Sequence, residues 1–116
     1  MSLNGWELLH MKLTGNQIRY LLTIADLSKK KHIVRSVDVA REMDYSRASV
    51  HKMLQSLKEM GLVEHDYYSS LKLTPGGSRM AGRYLKKYQY IKETLDTILD
   101  IPEGYNLGIC NLIELL

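Results

Sequence analysis

The chain has 116 residues, 45% of them hydrophobic, which is the size of one domain with one real core. Its net charge of +3 is unevenly placed: residues 1–28 are neutral, residues 29–92 carry fourteen Lys or Arg against six acids, and residues 93–116 carry five acids and neither Lys nor Arg. No apolar run approaches a membrane span, residues 1–12 lack the basic start and long apolar stretch of a secretory leader, and the single cysteine, Cys110, cannot form an internal disulfide, so a soluble, cytoplasmic protein is expected.

Residues 1–12 read as an N-terminal extension or tag, with Trp6, Leu8 and Leu9 able to cover a core or a partner. Residues 13–28 predict a helix, capped by Thr14 or Asn16, with Ile18, Leu21, Leu22, Ile24 and Ala25 on its buried face. Lys29, Lys30, Lys31 and His32 follow as a basic loop. Cations there complement the helix macrodipole, and the same loop also reads as a phosphate clamp. Ile33, Val34 and Arg35 read as a short extended piece.

Residues 36–72 carry the pattern around which the rest is organised. Val37, Val39, Ala40 and Met43 stripe a short helix that Ser36 can cap. Asp44 and Tyr45 make a turn, and Ser46 caps a second helix with Val50, Met53, Leu54, Leu57 and Met60 at helical spacing. Its other face holds Arg47, Ser49, His51, Lys52, Gln55 and Lys58, and Gly61 stops it. Leu62 and Val63 lead into a strand, and Leu71 and Leu73 alternate on a returning one. Helix, turn, helix and hairpin in that order form a winged helix-turn-helix. Such a unit sets the first turns of its second helix against base edges in the major groove. The residues expected at DNA are therefore Lys30, Arg35, Ser36, Tyr45, Ser46, Arg47, Ser49, His51 and Lys52, with Tyr67, Tyr68 and Ser69 at the wing tip. A solvated helix face and a polar hairpin are the blander readings of the same residues, and Asp66 counts against deep insertion of the wing.

Thr74 and Pro75 start a long helix, expected to reach about Leu99, with Met80, Tyr84, Leu85, Tyr88, Ile91, Leu95 and Ile98 on one side. Arg79, Arg83, Lys86 and Lys87 make the other side basic. Residues 100–104 break it. Residues 105–116 predict a last helix that is apolar nearly all round and needs a covering surface, expected from a second copy through Leu107, Leu112, Ile113 and Leu116. The fold expected is mainly α with a small β wing: a winged helix-turn-helix over residues 13–75, then a long linking helix and a short dimerisation helix over 76–116.

On these residues the chain, from 16 to 116, resembles the N-terminal part of the DtxR/MntR family of metal-dependent repressors. The resemblance is carried by RYLLTIADL, SVDVAREMDYSRASVHKMLQSLKEMGLV, LKLTPGGSRMAGRYLKKYQYIKETL and ICNLIE. The Leu-Thr-x-x-Gly after the wing is shared with other winged-helix families; the long helix followed by a short one is more specific. The family implies metal-gated binding of a homodimer to palindromic operators. Its metal ligands are not reproduced here. An Asp or Met position of the family falls on Arg19, a Glu on Leu22, a His on Tyr88, and a Glu-His pair on Ile113 and Glu114. Cys110 and Glu114 remain as candidate ligands, and Cys110 also reads as a small buried hydrophobe. A divalent metal is thus possible but disfavoured, with an Arg19–Glu114 ion pair, a bond from Tyr88 to Glu114, or packing of Tyr88 against the first helix expected as a fixed link in its place.

The function expected is a sequence-specific DNA-binding transcriptional regulator, a homodimer on a palindromic operator and independent of metal. One alternative is a MarR-like regulator controlled by a small molecule at the dimer seam, lined by Tyr84, Tyr88 and Tyr90; another is a winged helix used only to dock proteins. An enzyme is not expected. His10, His32, His51 and His65 sit in unrelated segments, and Gly76-Gly77 lacks the Lys-Ser/Thr of a phosphate loop.

Overall fold

Thr14 starts the first helix, α1 (Gly15–Lys30), by a reciprocal cap. Its hydroxyl accepts from the Gln17 N–H at 3.1 Å, and its own N–H donates to the Gln17 side chain at 2.9 Å. The computed structural model describes residues 11–66 and 70–116; the expectations for Trp6, Leu8, Leu9, Tyr67, Tyr68 and Ser69 lie outside them. Helix α1 runs two residues further than predicted, so Lys29 and Lys30 form its last turn and Lys31 closes it. Ile18, Leu21, Leu22 and Ile24 are buried as expected, and so are Tyr20, Thr23 and Leu27. The helix is covered on nearly every side.

Helix α2 (Ser36–Met43) starts differently from the sequence reading. Ser36 is its first helical residue, and Arg35 is the cap. The carboxylate of Asp38, inside the first turn, accepts from the Arg35 N–H at 2.8 Å and takes the Lys31 ammonium at 2.6 Å. These two bonds hold the Asp38 carboxyl below the usual carboxylate range. Asp44 turns the chain in the left-handed region, φ 56°, and Ser46 caps α3 (Arg47–Glu59) as expected. Val50, Leu54 and Leu57 are buried, with Met53 and Met60 half-buried beside them. Gly61 ends the helix at φ 78°, a conformation that suits glycine.

The wing is an antiparallel pair, β1 (Val63–His65) and β2 (Leu71–Leu73), with Val63 opposite Leu73 and His65 opposite Leu71. The extended piece at 33–35 meets it through one bond, from the Leu71 N–H to the Val34 carbonyl at 2.8 Å. Helix α4 (Pro75–Leu95) is locked to the wing base by Thr74. The Thr74 hydroxyl donates to the Gly61 carbonyl at 2.7 Å and accepts from the Gly77 N–H at 2.9 Å. Its N–H reaches the Leu62 carbonyl at 3.0 Å. A Cβ on Gly77 would lie 2.0 Å from that same carbonyl oxygen. This is the physical content of the Leu-Thr-x-x-Gly motif: a cap and a glycine that let a helix start against a backbone turn.

Helix α4 stops short of the predicted Leu99, leaving Ile98 and Leu99 exposed. Helix α5 (Leu107–Glu114) is also shorter than predicted and is capped by Asn106. It packs on α1 and α4, close enough that a Cβ on Gly15 would lie 2.9 Å from the Cα of Asn111. Ile109, Cys110 and Ile113 enter the one hydrophobic cluster that begins at Leu13. Half of the last helix is therefore covered by its own chain. Ile113, 3% exposed, leaves the set expected at a dimer seam, whereas Leu107, Leu112 and Leu116 are exposed.

The two glycines of α4 predict opposite outcomes for one substitution. Gly77→Ala should destabilise by about 1–3 kcal/mol, because the atom it meets is backbone and cannot yield. Gly82→Ala has nothing within 4 Å of the new methyl and should stabilise by roughly 0.5–1 kcal/mol through helix propensity. Urea midpoints of the two variants check both signs.

Candidate nucleic-acid interface

The outer face of α3 opens on Ser46, Arg47, Ser49, His51 and Lys52, all exposed. Ser46 is first a cap. Its oxygen accepts from the Ser49 N–H at 3.1 Å and its hydroxyl donates to Ser49 Oγ at 2.9 Å, so the two side chains hold each other. Arg47, His51 and Lys52 are the side chains at this end that extend into solvent. At the other end Lys58 Nζ donates to the His65 carbonyl at 3.3 Å and ties the helix to the wing. Burial, then the neighbouring His51 and Lys58, push the His65 imidazole below its usual range. Arg35 is exposed and Ser36 half-buried at the start of α2, one residue beyond the Val34 carbonyl that meets the wing.

Two expected DNA residues are engaged elsewhere. Lys30 pairs with Asp26 at 2.9 Å, one turn back on α1, and both line a groove with Glu42 and Tyr105. Its ammonium is not a free clamp. Lys29, Lys31, His32 and Lys72 instead line a groove of about 510 Å³ between α1, β2 and α4, floored by Leu22, Leu71 and Leu85. Lys31 is held by Asp38, which leaves Lys29, His32 and Lys72 as the cations beside the wing. Lys72 was not among the residues expected at DNA; its place between Leu71 and Leu73 puts it on the outer face of a strand. Tyr45 turns inward: its hydroxyl donates to Asn16 at 3.2 Å and accepts from Arg19 Nη1 at 2.7 Å.

A second constellation lies beneath this face. Arg19 Nε donates to the Tyr105 carbonyl at 2.7 Å, and its guanidinium lies 5.1 Å from the centre of the Tyr45 ring. Tyr88, buried, accepts from the Asn106 N–H at 2.7 Å and donates to the Gly104 carbonyl at 3.3 Å. Glu114 accepts from the Gly15 N–H. Neither link expected to Glu114, from Arg19 or from Tyr88, is formed. Within one chain Tyr84 is half-buried, Tyr88 buried and Tyr90 exposed to solvent.

The family described as iron dependent repressor, N-terminal DNA binding domain, matches residues 12–71 of this chain. The chain belongs to the iron-dependent repressor family. Its relatives include the transcriptional regulator MntR of Escherichia coli O6:H1, 31% identical over 84 residues, 72% of this chain and 54% of that protein. Another is the HTH-type transcriptional regulator MntR of Listeria welshimeri, 32% identical over 79 residues, 68% of this chain and 56% of that one. Among solved structures, T. acidophilum IdeR superposes with a TM-score of 0.64 at 28% identity, over 73% of this chain and 40% of the other. The chain spans about half the length of the curated relatives it matches. The family is one of repressors, not enzymes.

Family membership implies a divalent cation, and the residues at the matching positions do not fit one. Leu22 and Ile113 are core hydrophobes, Tyr88 is spent on the loop backbone, and Arg19 brings a permanent positive charge. Cys110 is fully buried, and burial pushes its thiol up to about 11. No three His, Cys, Asp or Glu side chains converge among the described residues.

The Cys110 thiol should be unreactive in the folded protein. Native alkylation at pH 8 should run at least about a hundredfold slower than in denaturant, since both burial and the raised pKa withhold the thiolate. Time-resolved labelling followed by mass spectrometry checks this.

Proposed function

We propose that the protein is a sequence-specific transcriptional regulator that binds double-stranded DNA as a homodimer on a palindromic operator and does not require a divalent metal. The observation that carries the reading is the exposed polar and basic start of α3, capped by Ser46 and tied to a wing at its far end. Arg47, His51 and Lys52, with Ser46 and Ser49, are the residues for base edges. Arg35, Ser36, Lys29 and Lys72 suit the phosphates alongside. Tyr67, Tyr68 and Ser69 extend the same role to the wing tip. Leu107, Leu112 and Leu116, with Ile98 and Leu99, are exposed apolar side chains on the acidic end of the chain, and a second copy covers them. A two-fold dimer matches two half-sites. The location is cytoplasmic, where a lone reduced cysteine is at home. A protein-docking role would call for an apolar patch on α3, and the basic face does not supply it.

Arg47→Ala and Lys52→Ala should change which bases are preferred, costing about 1–3 kcal/mol on the best site. Lys72→Ala should weaken all sequences alike and lower the salt slope by about one unit. Lys30→Ala should do little. Competition between a sequence enriched from random DNA and a random duplex, at two salt concentrations, separates these outcomes. The same titration in chelator, then with added manganese, iron(II), cobalt or zinc, tests metal independence. A gain of a hundredfold, about 2.7 kcal/mol, with any one ion would overturn it.

The wild-type chain should sediment as a dimer at micromolar concentration, and Leu112→Glu should give a folded monomer. A wild-type monomer would remove the dimer from the reading.

A further inference from the structure

The groups around Arg19 form a connected polar network that the DNA-binding face does not itself use. The side chain is half-buried on α1 and has no carboxylate within ion-pair distance among the described residues. Its fork is satisfied from two directions instead. One side donates to the Tyr105 carbonyl, in the loop between α4 and α5, and the other to the Tyr45 hydroxyl, both at 2.7 Å. Each acceptor is itself anchored. Tyr45 continues to Asn16 at 3.2 Å, and its ring lies 5.8 Å from that of Tyr20. The Tyr105 ring meets Tyr88 edge-on at 5.1 Å, and the Tyr88 hydroxyl clasps the loop on both sides of Tyr105 through Gly104 and Asn106.

Tyr45 occupies a decisive place in the chain. It follows Asp44, the one non-glycine residue with positive φ among the described residues, and precedes the cap of α3. Where its ring sits fixes where α3 begins. The geometry points to Arg19 as a built-in cationic strut that sets the angle of α3 on α1. This rests on the DNA-binding reading above and deepens it. A divalent cation joining helices can come and go; a guanidinium on the chain joins them whenever the protein is folded. Arg19 is a positioning residue that touches no DNA, and the arrangement of α3 is competent without an added ion.

The test uses Tyr45→Phe, which keeps the ring and loses the hydroxyl, and Arg19→Lys, which keeps the charge and loses the fork. The Tyr45, Ser49 and Val50 amides are hydrogen-bonded to the Ala40 carbonyl, Ser46 Oγ and the Ser46 carbonyl respectively, and so report on the turn and the start of α3. In both variants these amides should exchange about tenfold faster, while those of Leu54 and Leu57 stay as in the wild type. Affinity for the enriched duplex should fall about tenfold, with binding to random duplex and the salt slope unchanged. The double variant should lose no more than the worse single one, since both cut the same link. Unchanged exchange at 45–50, equal acceleration throughout the chain, additive losses, or a salt slope lowered by one unit would each overturn the strut. Should the wild type bind no duplex specifically, the DNA reading fails, and the exchange pattern alone still decides the strut.

Discussion

Helix α1 is packed on nearly every side, and it carries a cation into that packing. A guanidinium withdrawn from water has to be given acceptors by whatever surrounds it, because leaving it unpaired costs several kcal/mol. The neighbours of Arg19 meet this demand with a phenol and a main-chain carbonyl. Both choices shape the rest of the molecule. The phenol pulls the turn before α3 down onto α1. The carbonyl brings the α4–α5 loop back across α1, and that path lays α5 against the start of the first helix, where Gly15 leaves room for Asn111.

The second constraint is at the wing. Thr74 and Gly77 lock the start of α4 to the chain leaving α3, and Lys58 ties the end of α3 to the wing strand. Helix α3 is thereby held at both ends, by Tyr45 before it and by the wing after it, while its outer face stays in solvent. Rigid support beneath an exposed polar and basic face is what reading base edges asks of a protein, since hydrogen bonds to bases tolerate little misplacement.

Much of this was legible from residue spacing. The cap at Ser46, the buried face of α3, the wing strands and the start of α4 follow from local rules and are found as expected. What was misread has a common cause: a periodic stripe shows that a face is apolar without showing what covers it. Ile113 was given to a second copy, and its own chain covers it. Tyr45, amphipathic and in a turn, reads equally well facing DNA or facing inward, and only the position of Arg19 decides. For Lys30, Asp26 four residues earlier was a readable signal for a helical ion pair. The Arg19 acceptors were out of reach. Comparison with a family suggests which side chains should face Arg19, whereas a loop carbonyl has no residue type to betray it.

The energies make a guanidinium an adequate substitute for an exchangeable ion in this role. A hydrogen bond to a charged group is worth about 1.5–3 kcal/mol, so two such bonds come to a few kcal/mol. Gating of DNA affinity by a hundredfold needs about 2.7 kcal/mol of difference between arrangements. The two scales match, so the strut is strong enough to hold one arrangement of α3 against competitors. The consequence is for control. An ion bound by mass action makes affinity depend on its concentration, and a side chain does not. On the proposed reading the first helix and the turn are joined by the chain itself, so a ligand that changes the arrangement of α3 has to do so by breaking the Arg19 link.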